Sequence, residues 1–199
     1  MMRTIVWDID DVLNDLMHAW FTSVWKPANP GSHLEYRDIA DNPPYQSLGI
    51  GESEYLASLD AFRLSAASRD MAPNPAIVEW LREHGSAFRH VALTARPLDT
   101  APPAAEWLFR HFGDYFRCFG VVPCRSIAGT PQYDRDKGDF LRWLGGADYF
   151  VDDSPANVAA ARALGIHGIV YPQPWNGAIH TVGDVLNMIA QRSPVEIHA

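Results

Sequence analysis

Twice along this chain of 199 residues a short apolar run breaks off into adjacent carboxylates. Ile5-Val6-Trp7 leads into Asp8-Ile9-Asp10-Asp11-Val12, and Tyr149-Phe150-Val151 leads into Asp152-Asp153-Ser154-Pro155. Continuous apolar runs of this length read as strands buried on both sides, the habit of a parallel sheet. Acids this close repel one another, and burial raises the cost unless a cation or a raised pKa relieves it. At the end of a buried strand the expected relief is a hard divalent cation, Mg²⁺ foremost. For either site alone, an Asp-rich turn after a strand is the competing explanation.

The intervening sequence alternates strand-like and amphipathic helical patterns, which predicts a parallel sheet with helices on both faces. Strands are expected at Arg3–Asp8, Arg89–Thr94, Cys118–Val122, Tyr149–Asp152 and Gly168–Tyr171. Helices are expected at Asn74–Glu83, Thr100–His111, Asp136–Leu144, Pro155–Leu164 and His180–Gln191. One interval breaks this rhythm. Between Asp11 and Met71 lie an aromatic-rich helix at Asp15–Trp25, a Pro/Gly/Asn loop at Lys26–His33 and a helical pair near Glu52–Ala67. Open α/β sheets bind ligands at the C-terminal edge of their strands, and an insertion after the first strand is placed to cover that edge. The expected organisation is a core of residues 1–13 and 72–192, a small helical cap at 14–71 and a C-terminal tail at 193–199.

Composition narrows the partners. The formal net charge is −8 and no Lys/Arg run occurs, so a nucleic-acid polymer is not expected. No stretch approaches the roughly 18 apolar residues of a membrane helix, and the first residues run straight into a strand rather than a signal-peptide pattern. These features predict a cytoplasmic protein. Cys118 and Cys124 have no His or Cys neighbours at zinc-ligand spacing and read as two buried free thiols.

Two further positions belong to the same sheet edge. Val91-Ala92-Leu93-Thr94-Ala95-Arg96-Pro97 places a hydroxyl at a strand end, followed by turn N–H groups from Ala95 onward, a combination able to hold phosphate oxygens. Lys137 opens a helix, where its charge opposes the helix dipole unless an anion meets it. Asp153 or Ser154 could cap the helix begun by Pro155, but capping accounts for one acid at most. Acids after the first and fourth strands, Thr after the second and Lys before the fourth converge on one edge. Together they offer negative charge for a metal, and a hydroxyl and an ammonium for phosphate, the equipment of phosphoryl transfer.

The order Asp8-Ile9-Asp10-Asp11-Val12, Thr94, Lys137, Asp152-Asp153 resembles the four signature motifs of the haloacid dehalogenase superfamily, over nearly the whole span from Thr4 to Asn176. The paired acids Asp8 and Asp10 resemble the pattern of its phosphatases, and the insertion resembles its first type of cap. Leu34-Glu35-Tyr36-Arg37-Asp38-Ile39 and Tyr171-Pro172-Gln173-Pro174-Trp175-Asn176 resemble, loosely, the 5'(3')-deoxyribonucleotidase group. The resemblance implies a Rossmann-like parallel sheet, Asp8 as nucleophile and Asp10 as general acid and base. It implies Mg²⁺ held by Asp8, the Asp10 carbonyl and Asp153, with Asp152 behind them and Asn157 in an outer position where some relatives carry another acid. It implies phosphate held by Thr94, the Ala95 N–H and Lys137.

Arg96 is a candidate substrate contact, with a surface ion pair as the alternative. In the cap, Trp20, Trp25, Tyr45 and Phe62 could stack on a base, as aromatics do with nucleobases, or form the cap's own core. The leading expectation is a Mg²⁺-dependent phosphomonoester hydrolase for a small phosphorylated metabolite or nucleotide, deoxynucleoside monophosphates included. The alternatives are a sugar-phosphate or other metabolite phosphatase, and a non-catalytic phospholigand-binding protein of the same fold. The intact Asp8/Asp10 pair speaks against the last, since binding alone needs no general acid.

Overall fold

The computed structural model describes residues 2–125 and 129–191, so the expected tail at 193–199 lies outside the described residues. The chain runs β1 (Arg3–Trp7), α1 (Leu16–Trp20), a π-helical turn (Phe21–Trp25), α2 (Lys26–Ala28), α3 (Glu52–Arg63), α4 (Ala66–Arg69), α5 (Pro75–His84) and β2 (Phe88–Thr94). It continues through α6 (Ala101–Phe112), β3 (Phe116–Val121), α7 (Lys137–Leu144), β4 (Tyr149–Asp152), α8 (Pro155–Ala163), β5 (His167–Val170) and α9 (Val182–Gln191). The five strands form one parallel sheet in the order β3-β2-β1-β4-β5.

Alternation along the strands divides the core in two. Ile5, Trp7, Ala92, Tyr149 and Val151 point to one face and pack with Trp80 and Leu81 of α5, Trp107 and Phe112 of α6, and Val185 and Ile189 of α9. Val6, Val91, Leu93 and Phe150 point to the other, against Leu141 of α7 and Val158 and Ala161 of α8. Both faces of the central strands are therefore dry, as their unbroken apolar sequences require. Close packing has a local demand at Gly168, where an added Cβ would lie 2.8 Å from the carbonyl oxygen of Val158 on α8.

Local signals set the helix ends. Asn74 accepts the Ala76 N–H at 3.1 Å ahead of Pro75, and Asp136 accepts the Asp139 N–H at 2.9 Å at the start of α7. Gly145, at φ 79°, ends α7 in the left-handed conformation that glycine adopts without strain.

A separate apolar cluster forms among residues of the expected cap at 14–71. Leu16, Trp20, Phe21, Trp25, Ile39, Tyr55, Leu59 and Phe62 pack together, with Trp175 from the far end of the chain on the margin. The first turn of the expected 26–33 loop is helical, because the π-helical turn carries the helix on into α2. The cysteines correct the sequence reading: both are exposed. Strand β3 is an edge strand, and Arg117 and Cys118 on it are both exposed. No helix among the described residues is long and apolar enough to cross a membrane.

Candidate active site

Strand β1 lies between β2 and β4, and the residues that follow the ends of these three strands meet at one edge. Asp8 is still in register there, its N–H donating to Val151 O at 2.8 Å. Lys137, the first residue of α7, buries its ammonium between two acids. Its Nζ lies 2.7 Å from Asp8 Oδ1 and 2.7 Å from Asp152 Oδ2. These carboxylates answer the unfavourable position of a lysine at a helix N-terminus. Asp152, fully buried, also accepts the Ser154 N–H at 2.8 Å and the Asn157 side-chain amide at 3.1 and 3.3 Å. Asn157 thus acts as a donor to Asp152.

One ammonium does not neutralise three acids. Burial pushes the Asp8 carboxyl well above its ordinary range; Lys137 pulls against this, while Asp152 and Asp153 add to the rise. Asp153 is pushed up to about 6, by burial first and by Asp152 next. Carboxylate oxygens of Asp8, Asp152 and Asp153 lie within 4.8 Å of one another. Every donor in the set is oxygen, so the group fits a hard divalent cation rather than a soft one. Asp153 is held from outside, its Oδ2 accepting the Trp175 indole N–H at 2.9 Å and the Asn42 amide at 3.4 Å.

The Asp10 carboxylate is not part of this group. Arg96 Nε donates to its Oδ2 at 2.7 Å, and a second guanidinium nitrogen donates to Oδ1. Arg63 of α3 lies 3.6 Å from the same carboxylate. Burial alone would raise Asp10, but the two guanidinium groups outweigh it and hold the carboxyl below its ordinary range. Asp11, at φ 61°, turns the chain sharply, and its carboxylate accepts the Met17 N–H at 2.8 Å. Asp is among the few side chains that tolerate this backbone region.

Asp8, Asp10, Thr94, Ala95, Lys137, Asp153 and Asn157 line one cavity of about 350 Å³, with Asp152 buried behind them. The four candidate substrate contacts are placed elsewhere. Trp20 is fully buried, its indole N–H on Ser58 Oγ at 3.1 Å and its ring edge-on to Tyr55. Phe62 is buried in the same cluster, and Tyr45 packs on its margin against Tyr55. Arg96 is 3% exposed, so its ion pair is internal rather than at the surface. The insertion's contribution to the wall is instead Leu16, Met17, Asn42, Pro43, Tyr55, Leu59 and Arg63. Of the groups that sequence reasoning missed, Asp11 had a signal as the third acid of its run. Trp175 lay in the Tyr171–Asn176 stretch that carries the resemblance, whereas Arg63 and Asn42 had no signal, because each reaches the site from a distant segment.

No protein-family model matches the chain, and no curated protein matches it. Solved structures do. A haloacid dehalogenase-like family hydrolase from Streptococcus pneumoniae superposes with a TM-score of 0.60 at 19% identity, over 94% of this chain and 90% of that one. A protein described as a predicted phosphatase, from Clostridium acetobutylicum, gives 0.62 at 14% identity, over 96% and 99%. CbbY from Rhodobacter sphaeroides, in complex with xylulose-(1,5)bisphosphate, gives 0.52 at 16% identity, over 94% and 96%. The parallel sheet, its strand order and these superpositions together give the chain the haloacid dehalogenase-like fold.

Proposed function

We propose that the protein is a Mg²⁺-dependent phosphomonoester hydrolase acting through an aspartyl-phosphate on Asp8, with residues 14–71 as a cap over the core. The observation that carries this reading is the Lys137 ammonium on Asp8 Oδ1 at 2.7 Å, on the wall of a cavity that also holds the Asp10 carboxyl. A buried carboxylate beside a fixed cation can approach a phosphate dianion that would otherwise repel it. Solved structures of the same fold described as phosphatases and hydrolases support the assignment.

In this reading an Asp8 oxygen attacks phosphorus, the bond from phosphorus to the ester oxygen breaks, and Asp10 gives its proton to the departing alkoxide. Water then attacks the acyl phosphate, Asp10 takes back a proton, and phosphate leaves with Asp8 restored. The two guanidinium groups on Asp10 favour its ionised form, which suits the second half-reaction. A phosphate dianion entering beside Asp10 counters those charges and returns the carboxyl toward protonation for the first. Thr94, the Ala95 N–H and Lys137 hold the phosphoryl oxygens. Asp8, Asp153 and the Asp10 carbonyl, with Asp152 behind, would hold Mg²⁺, and the ion would supply charge neutralisation at the phosphoryl group.

The cap wall bears on the substrate. The aromatics that could have stacked on a base are used in the cap's own packing, and Tyr55, the aromatic on the wall, is 2% exposed. This favours a small non-nucleotide phosphomonoester, such as a sugar phosphate, over a deoxynucleoside monophosphate. CbbY with its sugar bisphosphate shows the fold accepting such a ligand in that protein. The test is hydrolysis of an aryl phosphate with and without Mg²⁺, followed by a panel of sugar phosphates and deoxynucleoside monophosphates. Phosphate release that needs both Mg²⁺ and Asp8 is the expected result. Binding of phosphate with no turnover would leave a phospholigand-binding protein instead.

A further inference from the structure

Asp153 is held from outside the core's own motifs. The indole N–H of Trp175 donates to its Oδ2 at 2.9 Å, and Asn176, one residue later, donates its side-chain amide to Asp153 O at 2.8 Å. Both come from the segment that follows β5, where Asn176 also donates to Tyr171 O at 2.7 Å and so closes a bend. Gln173 in the same bend donates to Asp11 O at 2.6 Å and accepts from the Tyr36 hydroxyl at 3.2 Å. One bend therefore grips the loops after β1 and β4 as well as the 14–71 insertion. The Trp175 ring sits edge-on to Tyr36 at 6.2 Å, on the margin of the insertion's apolar cluster.

We infer that Trp175 is a positioning residue that fixes Asp153 for cation binding and ties its orientation to the apolar cluster of the 14–71 segment. Asp153 is 6% exposed and shares its site with two further acids, so repulsion would swing it away unless a donor held one oxygen. An indole suits that position because it donates a single hydrogen bond, accepts none, and has its bulk packed by the neighbouring cluster. With Oδ2 engaged, Oδ1 has no hydrogen bond among the described residues that competes with a metal. Outer partners of this kind orient a ligand and set its basicity, and their loss typically costs about 10–100-fold in metal affinity. Asn42, donating to the same Oδ2 at 3.4 Å from the insertion, has a weaker version of the same role.

This inference rests on the proposed cation site, and the experiment separates the two. Mg²⁺ affinity is measured by calorimetry on the wild-type chain, on Trp175→Phe, which keeps the ring and deletes the N–H, and on Asn42→Leu. Thermal unfolding in EDTA monitors the fold of each. The expected result is Mg²⁺ binding by the wild type, weakened about 10–100-fold in Trp175→Phe and less in Asn42→Leu, with EDTA-state unfolding temperatures of the variants close to wild type. No Mg²⁺ binding by the wild type would overturn the cation site itself. Wild-type binding with unchanged affinity in Trp175→Phe would overturn the positioning role while leaving the site intact. Should Trp175→Phe fail to fold, Asn42→Leu decides alone, since Asn42 is exposed, and unchanged affinity there overturns the inference.

Discussion

Arg96 clamps Asp10 by two guanidinium nitrogens, one at 2.7 Å, and buries the pair at the mouth of the strand edge. An arginine two residues beyond Thr94 thereby sets the charge state of a carboxyl two residues beyond Asp8. Arg96, 3% exposed, is internal rather than in a surface salt bridge, while Asp10 still lines the cavity. The pair joins the loops after β1 and β2, and Arg63 extends it to α3, where Asp60 pairs with Arg63 at 3.0 Å and with Arg125 of the core.

Removing Arg96 should be costly for the fold. Breaking one partner of a buried ion pair costs about 3–5 kcal/mol, and Arg63, 3.6 Å from Asp10, offsets part of that here. Arg96→Ala should lose stability of that order in urea titrations, and Asp10→Asn on the same background should recover part of it. Strict additivity of the two losses would mean that the pair is not coupled.

Asp8→Asn should abolish turnover, because an amide cannot form the acyl phosphate. The same change should raise stability in metal-free buffer at neutral pH. The folded Asp8 pKa lies above its unfolded value, so any stability from Asp8 is fully present below that value and is lost as pH rises through the folded pKa. At neutral pH the ionised form is a burden that the amide removes. A lower unfolding temperature for Asp8→Asn in EDTA would contradict this.

Asp10→Asn should lose some stability by unpairing Arg96 and should lower kcat of the folded enzyme by about 10²–10⁴-fold, the usual worth of a general acid–base group. Steady-state rates on an aryl phosphate check this. Wild-type kcat in the variant would assign proton transfer to another group. EDTA should silence the wild-type enzyme and Mg²⁺ restore it, since the acidic group contains only hard oxygen donors. Full activity in exhaustively metal-free buffer would remove the cation from the mechanism.

His90 predicts a pH dependence of stability away from the site. Its Nδ1 accepts the Trp7 indole N–H at 3.1 Å, so Nε2 carries the proton and meets Gly85 O at 2.9 Å. The folded imidazole is neutral, and burial lowers its pKa below 6.5. As pH falls through 6.5 the unfolded chain binds a proton that the folded chain refuses, so stability drops toward the folded pKa by up to about 1.4 kcal/mol per pH unit. His90→Gln should flatten that slope in urea titrations between pH 7 and pH 5 (roughly the window in which histidine titrates). An unchanged slope would place the titration elsewhere.

The insertion's aromatics should behave as core. Trp20→Ala and Phe62→Ala should each cost about 3–5 kcal/mol of stability, and should lower turnover of nucleotide and sugar-phosphate substrates in parallel. A loss confined to nucleotides would restore the stacking role.

Much of this protein is written locally. The run Ile5-Val6-Trp7 needs both faces of a sheet, Asn74-Pro75 and Ser154-Pro155 start helices, and acids at two strand ends announce a charged edge. A parallel sheet then has little choice but to bring Asp8, Thr94, Lys137 and Asp153 together, because strand direction alone places all four at one end. Burial and partner choice are different in kind. Cys118 is exposed because β3 is at the edge, and strand order is set by how helices cover the sheet rather than by the sequence of one strand. Arg96 turns to Asp10, and Trp175 reaches back across 22 residues to Asp153, through contacts that no local pattern encodes. Trp20 and Phe62 face inward because the insertion has an apolar cluster of its own to fill. Sequence by itself determined which chemistry gathers at the strand ends; the tertiary structure decided which side chains are consumed in holding it there, because packing and charge pairing depend on distant segments meeting in space.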